Sequence, residues 1–303
     1  MNPELHDTLA AYLQVRYRLG ERHIELAGEA VRALRTYRRP GAPPAVQKTE
    51  APAPKISTPR RVLESGTIPP VRSPVEPPPA IPAPPAVETV VVPTGPKTEQ
   101  LQAIATALGA SAACRALFRR SRNMVFGVGS PDAALMFIGE APGEEEDLQG
   151  EPFVGPAGQL LTRMIETMGL KRGDVYIANI CKYRPDMPVG ASGNRKPTPQ
   201  EMEACLPYLR AQIGVIQPRV IVALGATAVE GLFHLPRAPI MKMRGTWKEL
   251  DGRPVMPTFH PAYLLRTQSL TDKRMVWEDL LQVMERLELP ITDKQRRFFT
   301  PTR

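Results

Sequence analysis

Four apolar runs each end on, or contain, a residue placed to do chemistry. Ala133 to Ile138 leads into Gly139-Glu140, Val175 to Cys181 contains Asn179, Arg219 to Leu224 leads into Gly225, and Arg253 to Thr258 precedes His260. A carboxylate orients or polarises water, and a carboxamide donates and accepts hydrogen bonds along one planar edge. A neutral imidazole donates from one nitrogen when its other nitrogen is held. His260 is one of four histidines, and Pro261 stiffens the loop that follows it. The acidic run Glu144 to Asp147 suits a helix start, where carboxylates favour the dipole. Cys114, Cys181 and Cys205 are too few, and odd in number, for a secreted disulfide scaffold.

These groups need elements to hold them. The pattern predicts a helix over 97–121, a strand over 133–138, a helix over 156–168 and a strand over 175–181. A polar loop, 185–198, precedes a helix opened by Thr198-Pro199 with Glu201 following, a capping signal. The run 219–224 is a buried-type strand followed by another helix. Residues 246–250 and 253–258 form a hairpin about Asp251-Gly252, and an amphipathic helix spans 271–288. Strands alternating with helices imply an α/β fold, a three-layer sandwich with a mostly parallel central sheet. In such sheets sites gather at the carboxyl ends of strands, which here carry Glu140, Asn179, Gly225 and His260.

Only residues 97–290 carry this pattern. Of 35 prolines, 17 lie between Pro40 and Pro96, a stretch without Phe, Trp or Tyr. Such a segment cannot offset the entropy of ordering its backbone, so 40–96 is expected to be a disordered linker. Residues 1–39 are expected to form a short helical segment, with Leu5, Leu9 and Leu13 and then Ile24, Ala27, Val31 and Leu34 recurring at helical spacing. Residues 291–303 are expected to be a tail. No window of about 18 apolar residues exists, which excludes a membrane-spanning helix. Glu4 and Asp7 stand where a signal peptide needs positive charge and then an apolar run, so a cytoplasmic, nucleoid-associated protein is expected. The net charge of +8 permits a polyanionic partner without identifying one.

The strand-end segments also carry a resemblance. Gly139-Glu140-Ala141-Pro142-Gly143 through Glu146-Asp147, then Gly150-Glu-Pro-Phe153-Val-Gly155-Pro-Ala-Gly158, resembles the first motif of family 4 uracil-DNA glycosylases. Tyr176-Ile-Ala-Asn179-Ile with Lys182-Tyr-Arg-Pro185 resembles the second, and Phe259-His260-Pro-Ala-Tyr-Leu-Leu-Arg266 the third. Leu224-Gly-Ala and Arg244-Gly-Thr-Trp247 also fall where that family has them. The resemblance runs from about Cys114 to Leu287, and ordered motifs are more specific than any single match.

It implies a DNA-repair enzyme that flips uracil from DNA and hydrolyses its N-glycosidic bond. Phe153 would then stack on the base, and Asn179 would pair with O4 and N3–H, an edge that cytosine presents in the opposite sense. His260 would donate to uracil O2 as negative charge grows there. The best-known uracil-specific enzymes use an Asp in the first motif to place water. Ala141 stands here, as is usual in family 4, so the resemblance points to Glu140 and Glu146 as the acidic participants. They would orient water, polarise it or organise the loop around Phe153. DNA contacts are expected near Gly225 and Thr227 and from Lys242, Arg244 and Arg266, with an apolar wedge among Tyr263, Leu264 and Leu265.

Family 4 enzymes typically hold a 4Fe–4S cluster on four cysteines. The corresponding positions here are Ser111, Cys114, Tyr183 and Cys205, so two of the four thiolates are missing. The expectation is an iron-free protein, with Cys114 and Cys205 as remnants and Tyr183 filling the space. Cys181, about 7 Å along a strand from Tyr183, would be an unrelated third. A shifted three-cysteine cluster is the alternative. Two other functions compete with the monomeric enzyme: a uracil- or abasic-DNA-binding paralogue without turnover, and an adapter that recruits a repair or replication protein through residues 1–39.

Overall fold

In the computed structural model, residues 90–300 are described; the helical segment expected over 1–39 and the linker up to residue 89 lie outside them. Six strands form one sheet in the order β1-β3-β2-β4-β6-β5. They are β1 (Val128–Gly129), β2 (Leu135–Gly139), β3 (Tyr176–Asn179), β4 (Val220–Leu224), β5 (Lys248–Leu250) and β6 (Arg253–Thr258). The central four, β3, β2, β4 and β6, are parallel, and the short edges β1 and β5 are antiparallel.

Ten helices are present among the described residues. In chain order they are α1 (Lys97–Ala110), α2 (Ala112–Leu117), α3 (Glu144–Gln149), α4 (Pro156–Thr167) and α5 (Pro199–Ile216), then α6 (Ala226–Phe233), α7 (Ile240–Met243), α8 (Pro261–Thr267), α9 (Leu270–Arg286) and α10 (Asp293–Arg296). Successive strand residues point to opposite faces and build two cores. Met136, Ile138, Ile221 and Ala223 pack with α1, α2, α5 and α6, while Leu135, Phe137, Val220 and Val222 pack with α4, α8 and α9. The result is the three-layer α/β sandwich with a mostly parallel sheet that the alternating pattern implied. No described helix is long and apolar enough to cross a membrane.

The helix expected over 97–121 is interrupted at Ser111, whose extended backbone (ψ 118°) ends α1 and whose hydroxyl caps α2 at the Cys114 amide. The strand expected over 175–181 stops at Asn179. At α5 the Thr198 hydroxyl accepts from the Glu201 amide and the Glu201 carboxylate accepts from the Thr198 amide, a complete capping box with Pro199 in the first turn. Asp251 and Gly252, both at positive φ, make the tight turn between β5 and β6. Beyond α9 the chain folds back: the Trp277 indole donates to Gln295 O at 2.6 Å and its ring packs on Phe298.

From β2 the chain crosses to β3 on one side, then to β4 on the other. Such a reversal opens a crevice beyond the carboxyl ends of the strands. Gly139-Glu140, Asn179, Gly225 and His260 all leave the sheet there.

Candidate active site

Asn179 ends β3 directly beside Gly139, the last residue of β2. Its carboxamide is buried, and Oδ1 has no hydrogen-bond partner. Only a residue without a side chain fits at 139: a Cβ there would lie 2.4 Å from Asn179 Oδ1 and 2.5 Å from the Phe153 ring. Phe153 reaches this spot from a tight loop in which it holds φ 54°. Helix α4 closes against that loop at Gly158, where a Cβ would sit 1.8 Å from Phe153 O. The Phe153 and His260 rings lie 5.6 Å apart at 29°.

His260 caps α8, and its Nδ1 accepts from the Ala262 amide at 3.1 Å. A backbone amide can only donate, so the ring is neutral with its proton on Nε2. Burial, reinforced by the Arg266 charge, lowers its pKa from 6.5 to about 4. The carboxyl of Glu140 is raised above its ordinary range by burial, and a hydrogen bond with Thr227 opposes this. Glu140, Asn194, Lys196, His260 and Arg266 line a cavity of about 320 Å³.

Glu146 faces backbone. One carboxylate oxygen accepts from the Val154 and Gly155 amides, both at 2.9 Å, and the other from Gly143 at 3.1 Å. Of the three tasks open to it, organising the Phe153 loop is the one its contacts perform. Neighbouring Asp147 is buried and accepts from the Ser121 hydroxyl and the Arg122 amide, so this part of the acidic run braces the loop before β1.

Several groups expected to meet DNA are committed elsewhere. Arg244 pairs with Asp279, which is fully buried and also accepts from the Thr258 hydroxyl, and it donates to Met275 O. That guanidinium ties the end of α7 to α9, and Asp279 carries the tie on to β6 through Thr258, so Arg244 serves the fold first. The Gly225 amide donates to Thr258 O at 2.8 Å, and Thr227 is buried on the side of Glu140. Leu264 is in the core beneath α8, where it is no wedge. Tyr263 packs on Phe259, with its ring centroid 4.9 Å away. Leu265, Arg266 and Lys242 are exposed.

Four thiolates are needed for a cubane, and the residues present do not fit one. Ser111 is spent on capping, and the Tyr183 ring stacks on Phe118 at 5.5 Å, beside Cys114 and Cys205. The sulfurs of Cys114 and Cys205 are 4.0 Å apart. Cys181 is a correction: it is buried and near enough to Cys205 to act on that thiol, so it is not unrelated to the pair. The strand ends at Asn179, so two-residue strand spacing does not apply at 181 and 183. Even so, no three His, Cys, Asp or Glu side chains among the described residues are arranged to hold a metal ion. Lys182, also fully buried, donates to Phe126 O at 3.1 Å, and burial lowers its pKa to about 7.

The sequence reading missed Asn194 and Lys196, whose loop it treated only as polar, and Glu230 of α6. The available signal was Arg195, six residues before the helix-capping Glu201; the two form a bidentate pair at 2.7 and 2.5 Å.

Together these features define a doubly wound α/β protein that gathers Glu140, Phe153, Asn179 and His260 at the carboxyl ends of its strands. A family model described as the uracil DNA glycosylase superfamily matches residues 126–281. The type-4 uracil-DNA glycosylase of Thermotoga maritima is 49% identical over 161 residues, 52% of this chain and 80% of that protein. The type-4 enzyme of Archaeoglobus fulgidus is 43% identical over 52% of this chain and 79% of its own. The type-5 enzyme of Thermus thermophilus is 29% identical over 52% and 76%. The chain belongs to the uracil-DNA glycosylase superfamily, in its type-4 branch.

Proposed function

We propose that this protein hydrolyses the N-glycosidic bond of uracil in DNA, leaving an abasic site, and does so without an iron–sulfur cluster. The observation that carries the reading is the unpaired, buried Asn179 Oδ1 beside the Phe153 ring. An orphaned acceptor costs the free protein stability, and uracil N3–H relieves it. In that orientation the amide nitrogen donates to O4. Cytosine would set its N3 acceptor against Oδ1, so discrimination follows from leaving buried polar atoms unmatched.

As the bond breaks, charge accumulates on uracil O2. The Nε2–H of neutral His260 is a preorganised donor for it, stronger toward the transition state than toward the bound base. Glu140 as an anion stabilises the developing sugar cation and orients water. Glu146 acts through the loop that carries Phe153. Exposed Arg266 and Lys242 supply phosphate contacts, and Leu265 the apolar group that enters the stack. The misfit of Ser111 and Tyr183 to a cluster lies behind the sheet and removes none of these groups.

The test is incubation with uracil-containing oligonucleotides followed by cleavage at abasic sites. Strand scission absent from undamaged DNA is expected. No scission above a His260→Ala control, with binding retained, would establish the binding-only paralogue instead.

A further inference from the structure

The loop before α5 brings a lysine to the active-site mouth, and its surroundings give that lysine a task. Arg195 locks the loop down: besides its pair with Glu201, it donates to Asp186 O at 2.7 Å. Next to it, the Lys196 ammonium is ion-paired with Glu230 of α6. Glu230 is only 5% exposed, and its other oxygen accepts from the Ala238 amide at 3.1 Å. Thr227 and Glu230 are three residues apart on α6 and therefore share a face. That face sets Thr227 beside the Glu140 carboxyl and holds the Lys196 ammonium through Glu230.

We infer that Lys196, clamped by Glu230, is a positioning residue that holds a cation beside Glu140 and keeps that carboxylate an anion during base release. The inference rests on the glycosylase reading above and adds a residue to it. Lys196 and Arg195 from the loop, and Arg266 and His260 from α8, line one cavity with Glu140; Arg195 is spent on Glu201, Lys196 is backed by Glu230 of α6, and His260 is neutral. Burial and the second carboxylate both favour protonation of Glu140, while Thr227, then Lys196 and Arg266, oppose it. Lys196 therefore acts twice: it attracts Glu140 and masks Glu230. Removing it leaves two carboxylates facing each other across a partly dry crevice, and removing Glu230 as well relieves half of that fault.

The test compares Lys196→Met, Lys196→Arg and the double variant Lys196→Met/Glu230→Gln with the parent. In kcat/KM for uracil release, Lys196→Met is expected to move the acidic limb of the pH profile upward by about one pH unit, a loss of roughly tenfold on the acid side. The double variant is expected to return part of that shift, and Lys196→Arg most of it. A limb that stays in place, with a weaker and less salt-dependent DNA affinity, would make Lys196 a phosphate contact and overturn the inference. Carbon-detected NMR titration of Glu140 in the DNA-free parent and variants reads the same effect without turnover. An inactive parent would sink the glycosylase reading while this titration still decided the role of Lys196. An identical Glu140 titration in parent and Lys196→Met would end the proposal.

Discussion

The His260 ring and the Ala262 amide are joined by a hydrogen bond of 3.1 Å that fixes where the imidazole proton sits. With Nδ1 accepting, Nε2–H is the only donor the ring presents to the crevice. Protonation would set two donors against each other at Nδ1, in keeping with a pKa near 4. His260→Ala is expected to lower single-turnover uracil release by about 10²–10³-fold, the usual cost of one oxyanion donor, with little change in DNA binding. The same residue sets a pH term in stability. Between about pH 4 and 6.5 the unfolded chain holds a proton on this histidine that the folded chain lacks. Stability from this site is therefore complete above pH 6.5 and is lost as the pH falls toward 4. Subtracting the melting temperatures of His260→Ala from those of the parent across that range should reveal a difference that grows with pH. A flat difference would show that the ring is not held neutral.

Asn179 should separate function from stability in the opposite way to an ordinary core residue. Its Oδ1 has no partner until a base arrives, so Asn179→Ala removes a polar cost along with some packing. Uracil release is expected to fall by about 10²-fold or more, while the melting temperature changes little. A large loss of stability would mean the amide is a structural hydrogen-bonding group, and its role as a base reader would fail.

The strand-end positions of Glu140, Asn179 and His260 were legible because each lies in or just after an apolar run, and the alternation of such runs with helices dictates where strands end. What escaped was the set of partners that only folding brings together. Arg244 looked like a surface cation until Asp279, 35 residues away, took it inside. Thr227 and Glu140 come from different crossovers, so nothing local relates them. Helices α3, α7 and α8 are seven residues or shorter, too brief for the 3.6-residue period to register. The relation of Cys181 to Cys205 was hidden because strand spacing was applied as far as Tyr183, four residues past the end of β3.

Glu146 offers a direct comparison of loop bracing with water activation. Glu146→Ala strands three backbone amides and should destabilise the fold by roughly 1–3 kcal/mol while slowing uracil release through a displaced Phe153. Glu146→Gln keeps an oxygen for Val154 and Gly155, losing only the Gly143 contact. It should recover most of the melting temperature and most of the activity. A glutamine variant as inactive as the alanine one, yet fully stable, would return Glu146 to orienting or polarising water.

The cysteine pocket makes a prediction about metal. Cys114 and Cys205 lie 4.0 Å apart beside the Tyr183 ring, a packing in which the thiols behave as small buried side chains. Protein purified without oxygen should contain no stoichiometric iron, show no visible iron–sulfur absorption, and keep its uracil-releasing activity after exhaustive chelation. Cys114→Ala and Cys205→Ala should each cost about 0.5–3 kcal/mol of stability, with activity nearly unchanged below the melting temperature. An enzyme whose fold depends on a cluster would behave differently, because losing one ligand removes binding energy that is also folding energy. Stoichiometric iron, with activity abolished by chelation or by either alanine substitution, would show that Cys181 completes a rebuilt site and that the iron-free reading is wrong.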